Sequence, residues 1–334
     1  MFKGSHLLHQ TRRVDIGNKK KISVALATYN GEKYLRELLD SVYRQSCRPY
    51  EVVVCDDGST DGTVGILEEY ARVQGLQYEV NPRNLGYIKN FEKTISLCSG
   101  DYVALCDQDD RWHPEKLTNL VNRISNYSLI CSDAVVIDGS GNKIASSFRK
   151  YQSIHIPDAK KQPHSFIFGN FVMGCTSLLN NKNFISELYP FPDDIPHDWW
   201  IAMLASMCNG IKYIKKPLID YRLHGNNIIG APKKSVLNDI FTYRKKLRMN
   251  QNHLQTVIMI KGALVMLNEL ANRDLADLWM LSVTKDLQAL LDDFDNSPSK
   301  HQKANRIILK YLNYLCPSSN PFAKLMMVIE NFYK

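Results

Sequence analysis

What most constrains the fold of this chain is a repeated alternation. Short apolar runs of strand-forming residues are each followed by a polar cluster and then by a segment with helical spacing. Ile22 to Ala27 is the first run. Behind it Asn30 offers an N-cap, and Leu35, Leu38, Leu39, Val42 and Tyr43 recur on one helical face. Glu51 to Cys55 is the second run, followed by the turn residues Asp57-Gly58-Ser59 and a helix over 61–74. Leu76 to Val80, a loop at Asn84 to Gly86 and a helix over 87–98 come next. Asp101 to Cys106 is a fourth strand, and Pro114 opens a helix predicted to reach Asn126. Leu129 to Ile137 reads as a strand and Asp138-Gly139-Ser140-Gly141 as a hairpin turn. Such alternation builds βαβ units around a largely parallel sheet, in which ligands bind beyond the carboxyl ends of the strands. Thr28-Tyr29-Asn30, Asp56-Asp57 and Asp107-Gln108-Asp109-Asp110 each follow a strand directly. They are therefore predicted to converge on one edge of one sheet.

Beyond residue 232 the period changes to helical, through Val236, Ile240 and Leu247, then Leu275, Leu278, Trp279, Leu287, Leu290 and Leu291, then Ile307 to Leu315 and Leu325 to Phe332. The chain thus reads as a flexible basic leader (1–21), an α/β domain (22–232) and a helical C-terminal domain (233–334). The apolar stretch Val257 to Leu267 is interrupted by Lys261 and falls short of the ~20 residues that span a bilayer. No apolar run follows the basic N-terminal residues, as a secretory signal requires. Eight cysteines without a Cys-x-x-Cys pair, three of them inside strand-like runs, indicate a reducing cytoplasm rather than disulfides or a zinc site. The net charge of +8 is unevenly placed: +5 over residues 1–21, −3 over 22–230 and +6 over 231–334. That asymmetry, with the apolar helices at 255–294, fits docking on an anionic membrane surface or a partner enzyme, or simple solubility; a helical domain packed on the sheet or forming a homodimer is the plainer alternative. The basic segments lack interleaved aromatics, which argues against nucleic acid.

Three carboxylates in the four residues Asp107-Gln108-Asp109-Asp110 repel one another unless a cation lies between them. Hard oxygens suit Mg²⁺ or Mn²⁺, and Mg²⁺ is held by one or two carboxylates together with substrate phosphates. The plainer alternative is a solvated acidic loop at a helix start. Asp57 beyond the second strand suits hydrogen bonding to a base or ribose, or else marks a turn with Ser59 or Asp61 as N-cap. Tyr29 offers a surface on which a base can stack.

Taken together, Ile22-Ser-Val-Ala-Leu-Ala-Thr-Tyr-Asn-Gly31, Glu51-Val-Val-Val-Cys-Asp-Asp-Gly-Ser-Thr-Asp61 and Asp101-Tyr-Val-Ala-Leu-Cys-Asp-Gln-Asp-Asp110 resemble glycosyltransferase family 2 over residues 20–230. Cys106-Asp-Gln-Asp-Asp-Arg-Trp112, His197-Asp-Trp-Trp200 and Tyr221-Arg-Leu-His-Gly-Asn-Asn227 are similar to its bacterial rhamnosyltransferase-like members. The resemblance implies a GT-A-type α/β fold: a mixed, mostly parallel sheet flanked by helices, here with an α-helical C-terminal extension. It implies an inverting, metal-dependent transfer from a UDP- or dTDP-sugar, dTDP-rhamnose among them, to a glycan or lipid-linked acceptor. That activity belongs to cell-surface polysaccharide synthesis, in the cytoplasm or peripherally at the inner face of the cell membrane. By position, Ala27, Tyr29, Glu32, Asp57 and Asp107 hold the nucleotide, Ala27 only through its backbone. Asp109 and His224 bind Mn²⁺ or Mg²⁺, His224 from a loop reached after a strand at Ile211 to Ile214 and a turn at Pro217.

Asp198 is the candidate general base, placed to deprotonate the acceptor hydroxyl, or it caps the apolar helix that starts at Trp199. Trp199 and Trp200 are suited to sugar faces, and Arg222 to a diphosphate. Gly174-Cys175-Thr176-Ser177 is placed by the same resemblance on the acceptor side. Two other readings are a non-catalytic sugar-nucleotide-binding assembly subunit and a nucleotidyltransferase. The latter usually needs a Gly-rich basic phosphate loop after the first strand, which Thr28-Tyr29-Asn30-Gly31-Glu32 is not.

Overall fold

The computed structural model describes residues 20–152, 154, 156, 163–167, 169–225 and 251–296. Strands β1 (Ile22–Thr28), β2 (Glu51–Asp56), β3 (Gln77–Val80) and β4 (Tyr102–Asp107) are parallel. Helices α1 (Glu32–Tyr43), α2 (Thr63–Gln74) and α3 (Tyr87–Ser96) connect them. Then follow β5 (Arg111–Trp112), α4 (Lys116–Val121), β6 (Leu129–Asp138), β7 (Lys143–Ala145), the short α5 (Phe148–Tyr151), β8 (Ser177–Asn180), the short α6 (Asn181–Phe184), α7 (His197–Met207) and β9 (Ile211–Leu223). The sheet runs β3-β2-β1-β4-β8-β6-β9-β5, with β7 paired to β6. The chain steps outward from β1 to β2 and β3 and returns to β4 on the other side of β1. A crevice therefore opens at the carboxyl ends of β1, β2 and β4. Antiparallel β8 then makes the sheet mixed, in the GT-A manner expected.

Period-two alternation sorts each central strand between two cores. Ile22, Val24 and Leu26 face α1, α2 and α4, as do Ala104, Cys106 and Ile130. Ala25, Val103, Leu105, Leu129 and Cys131 face the opposite way, toward α3 and α7. On α1 the buried residues Leu35, Leu38, Leu39 and Val42 form the stripe that the helical period predicts. Two further helices, α8 (Gln251–Asn272) and α9 (Leu278–Asn296), extend the second core. Their Ala263, Met266, Leu267, Leu270, Met280 and Val283 share one apolar cluster with Phe166 and Trp200.

Several local expectations are corrected. Asn30 does not cap α1. It adopts a left-handed φ of 48°, Gly31 stands at the N-cap, and the Asn30 side chain turns to the Thr60 amide. Helix α4 stops at Val121 rather than Asn126, and Ser125 takes a positive φ of 47° as the chain turns into β6. Pro217 makes no turn. Strand β9 runs through it, with Ser132 paired to Ile214 and Asp133 to Pro217, so Lys215 and Lys216 bulge to solvent. A bulge is where a strand tolerates a residue with no N–H. Residues 1–19 of the leader and the helical patterns at Val236 to Leu247, Ile307 to Leu315 and Leu325 to Phe332 lie outside the described residues. Among the described residues no helix is long and apolar enough to cross a membrane.

Candidate active site

The strand tips do meet. One cavity of about 1000 Å³ is lined by Ala27 to Gly31 after β1, Asp57 after β2, Asp107 to Asp109 after β4, His197 and Asp198 at the head of α7, and His224 after β9. Short hydrogen bonds lock the tips together. Asp56 accepts from Thr28 Oγ1 at 2.8 Å and from the Ser59 amide at 2.8 Å, tying β1 to the β2 turn. The Gln108 amide pairs with the Tyr29 backbone in both directions, at 2.9 and 3.0 Å, tying β1 to the β4 turn. A Cβ on Gly31 would overlap the Gln108 side chain, so this clasp requires glycine there. The sequence reading assigns Gln108 no role of its own. An uncharged amide held between acidic neighbours is the signal that marks it.

Asp57 is buried and accepts from the Leu85 and Gly86 amides and from Asn81 Nδ2, at 2.8 to 2.9 Å. It thereby holds the loop entering α3 against the cavity wall. Tyr29 is 48% exposed at the mouth, open to a stacking partner. Glu32 points away from the cavity and accepts from the Gly62 amide at 3.0 Å at the start of α2. The structure therefore gives it a capping contact in place of the nucleotide contact expected.

The acidic floor is electrostatically strained. Burial, then Asp109 and Asp198, push the Asp107 carboxyl up to about 7. Burial, then Asp109 and Asp107, hold Asp110 well above the usual carboxylate range. Asp110 Oδ1 accepts the Arg222 amide at 3.1 Å, whereas its Oδ2 is buried without a partner. Asp107, Asp110 and Cys175 bring ligand atoms within 4.8 Å of one another. His224 Nε2 lies 2.7 Å from Asp109 Oδ2. The two residues predicted as metal ligands, 115 positions apart in the chain, thus touch. Converging carboxylates, an imidazole and an orphaned carboxylate oxygen fit a hard divalent cation.

Asp198 lies in the first turn of α7, whose N-cap is Pro196, so it does not cap that helix by side chain. Its Oδ2 accepts the Gly174 amide at 3.3 Å, and its Oδ1 is buried without a partner. Its charge is among the causes that raise Asp107, so base candidate and acidic floor sense one another. His197 stacks on Phe91 with ring centroids 3.9 Å apart, and burial lowers its pKa.

Three expected contacts are corrected. Trp200 is fully buried and its Nε1 donates to the Leu188 carbonyl at 2.9 Å, so it offers no face to a sugar. Trp199 donates to the Phe166 carbonyl and packs on Gly262, away from the cavity. Arg222 is 2% exposed and is no diphosphate clamp. Its guanidinium binds Glu37 at 2.6 Å and the Asp109 carbonyl at 2.9 Å and stacks on Tyr34, bracing the acidic turn from behind. The aromatic residues that line the cavity include Tyr29, Tyr34, Tyr87 and Phe171 instead. Replacement of Trp200 by alanine is accordingly expected to destabilise the fold by about 3–5 kcal/mol in urea unfolding. Loss of activity at unchanged stability would instead return it to a sugar-binding role.

Residues 23–182 match the family model described as Glycosyl transferase family 2. The dTDP-rhamnosyl transferase RfbG of Shigella flexneri is 32% identical over 62% of this chain and 74% of its own length. EpsH of Bacillus subtilis, described as a putative glycosyltransferase, is 25% identical over 74% of this chain and 77% of its own. Among solved structures, S. aureus TarS 1–349 in complex with UDP-GlcNAc superposes with a TM-score of 0.54 at 18% identity. The superposition covers 88% of this chain and 81% of that one, and shows a shared fold.

Proposed function

Because the chain belongs to glycosyl transferase family 2, we propose that it is an inverting, divalent-metal-dependent enzyme of cell-surface polysaccharide synthesis, with dTDP-rhamnose or a related dTDP- or UDP-sugar as donor. That it is a glycosyltransferase using a nucleotide-sugar donor follows from the family itself. The observation that carries the finer reading is that Asp57, Asp109 and Asp198 face one cavity. In this reading the nucleotide lies along the β1 and β2 tips, between Tyr29 and the Ala27 backbone, with Asp57 and Asp107 as its polar contacts. Asp109 and His224 would hold Mn²⁺ or Mg²⁺, which would neutralise charge on the departing diphosphate. Asp198 takes the proton from the acceptor hydroxyl as that oxygen attacks the anomeric carbon on the face opposite the diphosphate. One carboxylate acting on one face gives inversion. The acceptor is a glycan or a lipid-linked saccharide, and the similarity to a dTDP-rhamnosyl transferase favours rhamnose as the transferred sugar.

A thermal-shift panel of nucleotide sugars with Mn²⁺ or Mg²⁺ tests the donor. A true donor at about a hundred times its Kd stabilises the fold by about 2.7 kcal/mol. Proton NMR of the glycoside product tests inversion, and a retained anomeric configuration would refute it.

A pH dependence follows from the acidic floor. A carboxyl whose pKa is raised from 3.8 to about 7 on folding contributes stability that is complete below 3.8 and lost as pH rises through about 7. The metal-free protein is therefore expected to lose thermal stability on going from about pH 5.5 to about pH 8. A bound cation needs these groups deprotonated, so Mn²⁺ is expected to raise Tm more at the higher pH. Equal Mn²⁺ shifts at both pH values would place the ion elsewhere.

A further inference from the structure

Lys116 has no exposed surface, and its neighbours Leu117, Leu120 and Val121 are core residues. An ammonium so placed is destabilising unless it is tied to acceptors. Its Nζ donates to the Cys175 carbonyl at 2.7 Å and sits 3.3 Å from the centroid of the Trp112 ring. Burial pulls its pKa down to about 8, opposed by Cys106, Cys175, Asp110 and Asp107. The carbonyl it binds belongs to the Gly174–Thr176 turn that leads into β8. The preceding residue of that turn, Gly174, donates its amide to Asp198 Oδ2 at 3.3 Å. A Cβ on Gly174 would lie 3.1 Å from His197 Nε2 and 3.3 Å from Asp198 Cβ, so turn and helix head are packed without slack. Two consecutive residues thus join the first residue of α4 to the carboxylate at the head of α7, one through its carbonyl and the other through its amide.

We infer that Lys116 is a positioning residue for the transfer reaction: its buried ammonium fixes the Gly174–Cys175 turn and through it aims the Asp198 carboxylate. The role rests on Asp198 acting as the base. Misplacing a catalytic group by about 1 Å can lower turnover by roughly a hundredfold without weakening substrate binding. Lys116→Met keeps the stem and removes the ammonium. In the folded fraction of this variant, kcat is expected to fall by about ten- to a hundredfold while donor KM stays within roughly threefold. A normal kcat per folded molecule, with only Tm reduced, would mean that Lys116 serves the fold alone and would overturn the inference.

Gly174→Ala reaches the same tie from the cavity side. It too is expected to lower kcat, and the double variant to lose less than the product of the separate losses, because both act through one contact. Independent, multiplicative losses overturn the inference. If Lys116→Met yields no folded protein, Gly174→Ala decides alone, and a normal kcat there overturns it. Asp198→Asn keeps the two readings apart. Normal transfer in that variant removes the base assignment. An inactive Asp198→Asn beside a normal Lys116→Met removes only the positioning role.

Discussion

Asp198→Asn is expected to reduce transfer by about 10²–10⁴-fold, the range supplied by a positioned general base. The substitution keeps the shape of the side chain and one oxygen that can accept from Gly174, so the packing of α7 survives. What disappears is the capacity to take a proton. The loss is therefore expected in kcat, with donor KM and the thermal shift by nucleotide sugar nearly unchanged. Its buried and unpartnered Oδ1 is the feature behind this expectation. That oxygen has no protein donor, and Asp198 itself lines the cavity. A folded Asp198→Asn enzyme working at the native rate would transfer the base role to another group.

Asp109→Asn is expected to lower kcat/KM by roughly a thousandfold, about 4 kcal/mol of charge stabilisation at the departing diphosphate. The fold is expected to tolerate it. The Asp109 carbonyl still receives Arg222, and Tyr34 still stacks under that guanidinium. The distinguishing readout is the Mn²⁺-dependent rise in Tm, which should vanish together with activity. A variant that loses activity but keeps the full Mn²⁺ shift would move the ion to the Asp107, Asp110 and Cys175 group.

Much of this site is legible in the sequence, because its parts obey local rules. A strand that ends in a polar cluster projects it beyond the sheet edge whatever the loop does next, so the tips at Thr28, Asp57 and Asp107 could be placed together. One source of error is partners distant in sequence. Arg222 reads as a free cation for a phosphate, yet its guanidinium meets Glu37, 185 residues away. Lys116, for which the sequence offers no local signal, meets a carbonyl 59 residues on. For the tryptophans the sequence does carry the signal of burial. Helix α7 is apolar nearly all round, as buried helices are, and consecutive residues on a helix point about 100° apart. Two adjacent tryptophans therefore could not both have faced a sugar beside Asp198. Pro217 reads as a turn in the sequence, although a residue without an N–H can also sit at a strand bulge. The bulge at Lys215 and Lys216 accommodates it and lets β9 carry on to His224.

Crystals grown with Mn²⁺ and a dTDP- or UDP-sugar, recorded near the manganese edge, test the central assignment most directly. An anomalous peak within coordination distance of Asp109 and His224, in a cavity that also holds the nucleotide against Asp57, is the result expected. A nucleotide bound in this cavity with no manganese beside Asp109, or with the ion on a different surface, would contradict it.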